Sequence, residues 1–150
     1  MIIPDSDQIM RWLSQLSIGH YVCDQCHGIH IEELQQLEGV SESRIFIEDQ
    51  GMIFSTELEV RPGAIFAVVA EVARINMTYP QLKIFLDVVD EAWPRLVACD
   101  FLYTQAGISL AQFQVYLEGT LEATRQVMQD AEQMGWLMSG EGLNIEQAVH

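Results

Sequence analysis

The chain has 150 residues, with 22 acidic against seven basic and a formal net charge of −15, yet 49% of it is hydrophobic. A surface this negative repels phosphate backbones and anionic lipid headgroups, because binding either depends on clustered Lys and Arg. Direct nucleic-acid contact and membrane attachment are therefore excluded as expected functions, and one soluble domain with its own core is the expectation for this length.

Asp5, with Gln8 three residues on, predicts a helix start, and Ile9, Trp12, Leu13 and Leu16 recur behind it at helical spacing. Gly19 is the expected end of that helix. His20 to Cys26 reads as a short strand or turn, and Cys26 to Gly39 mostly as loop or short strand. Arg44 to Glu48 and Met52 to Val60 alternate, with Ile45 and Ile47 on one face, then Phe54 and Leu58. Asp49-Gln50-Gly51 between them supplies residues that tolerate positive φ, so the pair predicts a β-hairpin. Pro62 suits the first turn of a helix. Behind it Ile65, Val68, Val69, Val72 and Ile75 form an apolar stripe, predicting a helix across the sheet.

Leu82, Ile84, Leu86 and Val88 alternate, as do Val97, Cys99, Phe101 and Tyr103 after a turn at Asp90-Glu91-Ala92. These predict a second hairpin. Ser109 with Gln112 makes a capping box for the longest helix, whose core stripe is Leu110, Phe113, Leu117, Leu121, Thr124, Met128 and Ala131. Gly135 is its expected end, with Trp136 and Leu137 folding back. The expected organisation is one domain over residues 1–138 and a short acidic, mobile tail over 139–150. Helices separate groups of antiparallel strands, which predicts an α+β fold with one antiparallel sheet of about five strands and three helices.

The cluster His20, Cys23, Cys26, His27 and His30 places soft and borderline ligands within eleven residues, and Cys-x-x-Cys lets two thiolates share one zinc. Cys23, Cys26, His30 and His20 are the candidate ligands. No second ligand pair stands elsewhere in the chain, no strong helix follows Cys26, and Asp24 is expected to raise the neighbouring thiol pKa values. Half-buried structural cysteines beside surface histidines are the favoured reading, with no cofactor or metal expected. Three cysteines (Cys23, Cys26, Cys99) fit reduced thiols, and the apolar stretch near Ala64 to Ala70 is too short for a bilayer. With no basic n-region at the N-terminus, the cytoplasm is the expected location. The acidic pairs Glu32-Glu33 and Glu57 with Glu59 read as solvated faces, and Asp87 stands out among apolar neighbours. Arg61 at a strand-to-helix junction is expected to pair internally or to cap carbonyls. No nucleophile elbow, Walker A or Rossmann pattern is present, so no enzyme is expected.

Cys23-Asp24-Gln25-Cys26 with His30, Gly39-Val40, Glu59-Val60-Arg61-Pro62, Phe85-Leu86-Asp87 and Pro94-Arg95-Leu96-Val97-Ala98-Cys99 follow one another along most of the chain. In that order and spacing the chain resembles the YbjN family of bacterial sensory transduction regulators, which includes the AmyR-type regulators of exopolysaccharide production. The resemblance implies a fold similar to type III secretion chaperones, in the order α-β-β-β-α-β-β-α. It also implies regulation touching exopolysaccharide production, motility, biofilm and stress or virulence output. It carries over no catalytic residue. The resulting expectation is a non-enzymatic regulator that binds another protein, with a groove near Phe66, Trp93 and Tyr116. The alternatives are a secretion-type chaperone, for which a homodimer would be usual, and a thiol or metal sensor using Cys23, Cys26 and His30.

Overall fold

The structure, a computed structural model, describes residues 1–89 and 92–138. Part of the predicted turn at Asp90-Glu91 and the tail at 139–150 lie outside the described residues. Helix α1 (Ser6–Gln15) starts as the sequence predicts, the Asp5 side chain accepting from the Gln8 N–H at 2.8 Å. It ends earlier than Gly19. Ser17 adopts φ 59, and the Ile18 and Ser17 N–H groups return to the Leu13 and Ser14 carbonyls. That is a Schellman closure with serine where glycine is usual.

Two three-residue strands follow, β1 (His20–Val22) and β2 (Ile29–Ile31), then a single helical turn, α2 (Glu32–Gln35). The long hairpin is β3 (Val40–Ile47) with β4 (Gly51–Glu59), and Ile45 pairs with Phe54. Its turn closes through reciprocal Glu48–Gly51 bonds, and none of Asp49, Gln50 and Gly51 has positive φ. Gly51 serves packing instead: a Cβ there would lie 2.0 Å from the Leu102 carbonyl oxygen of the neighbouring strand. A 3-10 turn at Pro62–Ala64 leads into α3 (Ile65–Thr78), then β5 (Lys83–Asp87), β6 (Arg95–Tyr103) and α4 (Leu110–Gln133).

The fold is thus α+β with one open antiparallel sheet, in the order β1-β2-β3-β4-β6-β5. It has six strands and four helices rather than about five and three. The additions are β2 and α2, elements too short to show a period. A second correction concerns α3. Its main contacts in the sheet are with the outermost strand β5, and it buries Val68 and Ile75 while Val69, placed in the stripe by its spacing, stays exposed. Asn76 fixes it there, exchanging two hydrogen bonds with the Ile84 backbone.

Helix α4 carries the predicted stripe. Phe113, Leu117, Leu121, Thr124, Met128 and Ala131 are buried, and Leu110 packs against them. Both arms of its capping box form, between Ser109 and Gln112. Replacing Ser109 with alanine is expected to cost about 1 kcal/mol, checked by chemical denaturation. Gly135 (φ 71) ends the helix, and Trp136 and Leu137 fold back so that Val60 bridges Leu137. Arg61 caps this end, donating from Nε to the Gly135 carbonyl at 2.6 Å.

Tyr79 ties the end of α3 to α4 by donating to Asp130 Oδ2 at 2.6 Å. Burial first, then this bond, pushes its phenol up to about 12. A pKa raised on folding means the bond's contribution is complete below the ordinary tyrosine value of 10.0 and is lost as pH rises toward 12. Tyr79→Phe should cost about 1.5 kcal/mol at neutral pH. The gap from wild type should close in denaturation curves taken above pH 10.

One face of the sheet, bearing Ile29, Ile31, Ile45, Phe54, Leu58, Leu96 and Ala98, joins the helices in the core. On the other face Tyr21, His30, Arg44, Ser55, Cys99 and Lys83 stand in register across all six strands. No helix among the described residues is long and apolar enough to cross a membrane.

A cysteine-histidine cluster as candidate functional site

The loop between β1 and β2 is short and tightly bonded. Its Cys23 carbonyl accepts from His27 N at 3.2 Å, and His27 adopts φ 59. That conformation turns the chain so that Gly28 N donates to Cys26 Sγ at 3.4 Å, while Gln25 N donates to Cys23 Sγ at 3.3 Å. Each sulfur therefore receives an N–H from two residues ahead. Gly28 lies against β3, where a Cβ would meet Phe46 Cε1 at 3.0 Å and Arg44 Cδ at 3.2 Å. The loop is folded onto the row of residues opposite the core.

His30 lies in that row, paired with Arg44. It is 4% exposed, and Tyr21 stacks on its ring with centroids 4.6 Å apart and planes 5° from parallel. Its Nε2 is 3.4 Å from Cys26 Sγ. The ligand atoms of Cys23, Cys26 and His30 all lie within 4.8 Å of one another. The surface histidine expected from the sequence is thus a buried one facing both cysteines. His20 is not in the group; its Nδ1 meets the Ile18 carbonyl at 2.8 Å.

Gln35, on α2, organises this centre and was not singled out in the sequence. Its Nε2 donates to the Ser41 carbonyl at 3.1 Å, and its Oε1 accepts from Ser43 N at 2.9 Å. Those two backbone partners fix the amide's orientation, so Oε1 also accepts the Nδ1–H of His30 at 2.7 Å. A β-bulge between Val40 and Glu42 lies at Ser41. Glu42 Oε2 lies 3.5 Å from the same Nδ1. In a neutral imidazole bound in this way, Nε2 presents its lone pair to Cys26.

The Cys26 thiol is lowered to about 6, mainly by the Gly28 N–H and further by the Arg44 guanidinium and Cys23, against an opposing burial effect. Asp24 was expected to raise the neighbouring thiols. For Cys26, directed N–H donors outweigh it. Cys99, elsewhere on the sheet, is raised by burial. All three cysteines are free. Beside the cluster, Glu57 bridges Arg44 at 3.2 Å and Arg95 at 3.6 Å, so it is a largely buried ion-pair partner and not part of the solvated face expected for Glu57 with Glu59. Glu33 pairs with Arg125 of α4, and Asp87 stands opposite Arg95.

The groove residues do not converge. Phe66 is 87% exposed on α3, and Trp93 lines a shallow depression with Pro62, Ala92 and Pro94. Tyr116 is buried, its hydroxyl donating to the Asp100 carbonyl at 2.7 Å. It borders a separate cavity of about 660 Å³ with Phe101, Tyr103, Ile108 and Val115. Burial raises the Asp100 carboxyl at that cavity, opposed by a hydrogen bond from Thr120. In the methionine-rich end, Met128 and Met138 are core and Met134 is exposed.

Residues 5–132 match a family model, YbjN, described as "Putative bacterial sensory transduction regulator". The YbjN proteins of Escherichia coli K12 and Shigella flexneri, both uncharacterized, are 30% identical over 131 residues, which is 87% of this chain and 83% of theirs. The crystal structure of Escherichia coli YbjN superposes with a TM-score of 0.88 at 29% identity, covering 93% of this chain and 99% of that one. An uncharacterized protein from Methanothermobacter thermautotrophicus shares the fold at a TM-score of 0.50 and 11% identity, over 85% of this chain and 96% of its own.

Proposed function

This chain belongs to the YbjN family, and we propose that it is a non-catalytic sensory regulator whose signal enters at the Cys23–Cys26–His30 cluster. The observation that carries the reading is the convergence of three soft or borderline ligand atoms within 4.8 Å. Such a centre answers to a metal ion or to a thiol-reactive species, and both change its charge and geometry. The output is the binding of another protein. A net charge of −15 disfavours direct DNA contact, so any effect on transcription runs through a partner. Exopolysaccharide production, motility, biofilm and stress or virulence output are the processes in which the regulation would be read, and the cytoplasm is where it would act.

The test is complementation of a strain lacking the protein. Wild type should restore exopolysaccharide output, whereas Cys23→Ser/Cys26→Ser, at equal abundance and with unchanged circular dichroism, should not. Equal restoration by both would overturn the sensing role. Specific, salt-sensitive binding of the pure protein to a promoter fragment would overturn the protein-mediated output.

A second reading, a secretion-type chaperone, is favoured by the apolar cavity beside Tyr116. Tyr103 and Val115 there are 70% and 74% exposed, more apolar surface than the core requires. It expects a dimer that keeps an unfolded client segment soluble. A monomer without holding activity rules it out.

A further inference from the structure

We propose that Cys23, Cys26 and His30 hold one zinc-class divalent ion through two thiolates and the Nε2 of His30, with a fourth coordination position left to water. The proposal rests on the sensing reading above and names what the cluster receives.

The distances suit such an ion. Bond lengths of about 2.3 Å to sulfur and 2.0–2.1 Å to nitrogen in a tetrahedron place sulfurs about 3.8 Å apart and sulfur about 3.5 Å from nitrogen. Cys26 Sγ and His30 Nε2 stand at 3.4 Å, and the whole group falls within 4.8 Å. Side-chain adjustments under about 1 Å complete the site.

The surroundings are those of a metal centre in three further respects. First, each sulfur already accepts a backbone N–H, from Gln25 and Gly28. These bonds stabilise thiolates and help to hold each sulfur in one orientation. Second, Gln35 plays the part of the outer partner that metal-binding histidines need, taking the Nδ1–H so that Nε2 is the free ligand. The amide is itself pinned by Ser41 and Ser43, so the imidazole is oriented before any ion arrives. Third, the charges balance. Two thiolates neutralise a divalent ion, and the Arg44 guanidinium beside Cys26 is itself balanced by Glu57. A cysteine pair built only to form a disulfide requires neither His30 nor Gln35. Among the described residues the group contains these three ligands and no fourth, which leaves a position open.

The test is titration of the full, reduced, chelator-treated chain with Co(II), followed by Zn(II). One equivalent of cobalt should give thiolate-to-metal charge-transfer absorption and tetrahedral ligand-field bands, both abolished by one equivalent of zinc. Cys23 lies on the half-buried loop, so Cys23→Ser should keep the fold and lose the stoichiometric complex. Gln35→Ala, which keeps all three ligands, should weaken zinc binding about 10–100-fold. Absence of the bands in wild type, or their persistence unchanged in Cys23→Ser, overturns the site. If cobalt does not bind while the serine variant still fails to complement, the metal inference fails and the sensing reading survives. If cobalt binds one to one while the variant complements fully, the site stands and the sensing reading fails.

Discussion

Phe113→Ala should lower the unfolding free energy by about 3–5 kcal/mol, the largest stability loss expected of any substitution considered in this chain. Phe113 is fully buried on the inner face of α4, and its ring meets Trp12 of α1 at a centroid distance of 5.5 Å. Truncation removes both its own burial and an aromatic contact that joins the first helix to the last. The hole would be flanked by Trp12, and helices anchored by caps at both ends have little freedom to close over it. Val115, two residues along the same helix, is 74% exposed. Val115→Ala should stay within about 0.5 kcal/mol. Urea denaturation of the two variants beside wild type measures the difference directly. Comparable losses would mean that α4 is not held through the face described. A loss under about 1 kcal/mol at Phe113 would mean that the two helices move together to refill the space.

The contrast between Phe113 and Val115 also shows why some elements were legible in the sequence and others were not. Helix α4 has a one-sided stripe and a Ser109–Gln112 capping box, so start, end and buried face could all be read. The β3–β4 hairpin was legible from its alternation, although the turn uses no positive φ and Gly51 is required by the close approach of β6. Helix α3 is apolar over most of its surface. Its buried side is decided by β5, a tertiary fact, which is why Val69 was misplaced in the core stripe. In strand β2 Ile29 and Ile31 alternate about His30, but three residues are too few to decide between strand and loop; in the structure Ile29 and Ile31 face the core and His30 lies under Tyr21.

The candidate site divides along the same line. Cys23 and Cys26 were visible because both ligands lie in one short loop. His30 was grouped with them by spacing, but that it is buried and faces them, while His20 does not, depends on β2 pairing with β3. Gln35 was invisible for a further reason. It reaches His30 only because a single turn of helix and a bulge at Ser41 bring its amide between two backbone groups eight residues downstream and nearer. At Cys26 the effect expected of Asp24 does not prevail: a solvated carboxylate acts weakly, whereas an N–H aimed at the sulfur acts strongly.

That last point gives a direct chemical expectation. In the chelator-treated protein at pH 6, an aromatic disulfide reagent should modify Cys26 at least about 20-fold faster than Cys99. With its thiol lowered to about 6, Cys26 is about half thiolate there. Cys99 is raised above the ordinary 9.0 by burial, so at most about one molecule in a thousand carries the thiolate. That ratio, at least about 500, is reduced because a thiolate of lower pKa is a weaker nucleophile, by about threefold per unit of separation, so a preference of about 20-fold is the lower bound. The surviving preference is greatest at and below pH 6 and falls as pH rises above 6, where Cys26 is already ionised while Cys99 still gains thiolate, which fixes the sign of the pH dependence. Peptide mapping after brief labelling at pH 6 and pH 8 separates the two sites. Equal labelling of Cys26 and Cys99 at pH 6 would mean that the loop does not present its N–H groups to the sulfur in solution. The arrangement that orients both thiolates would then be lost, and with it the geometric basis for placing a signal at this cluster.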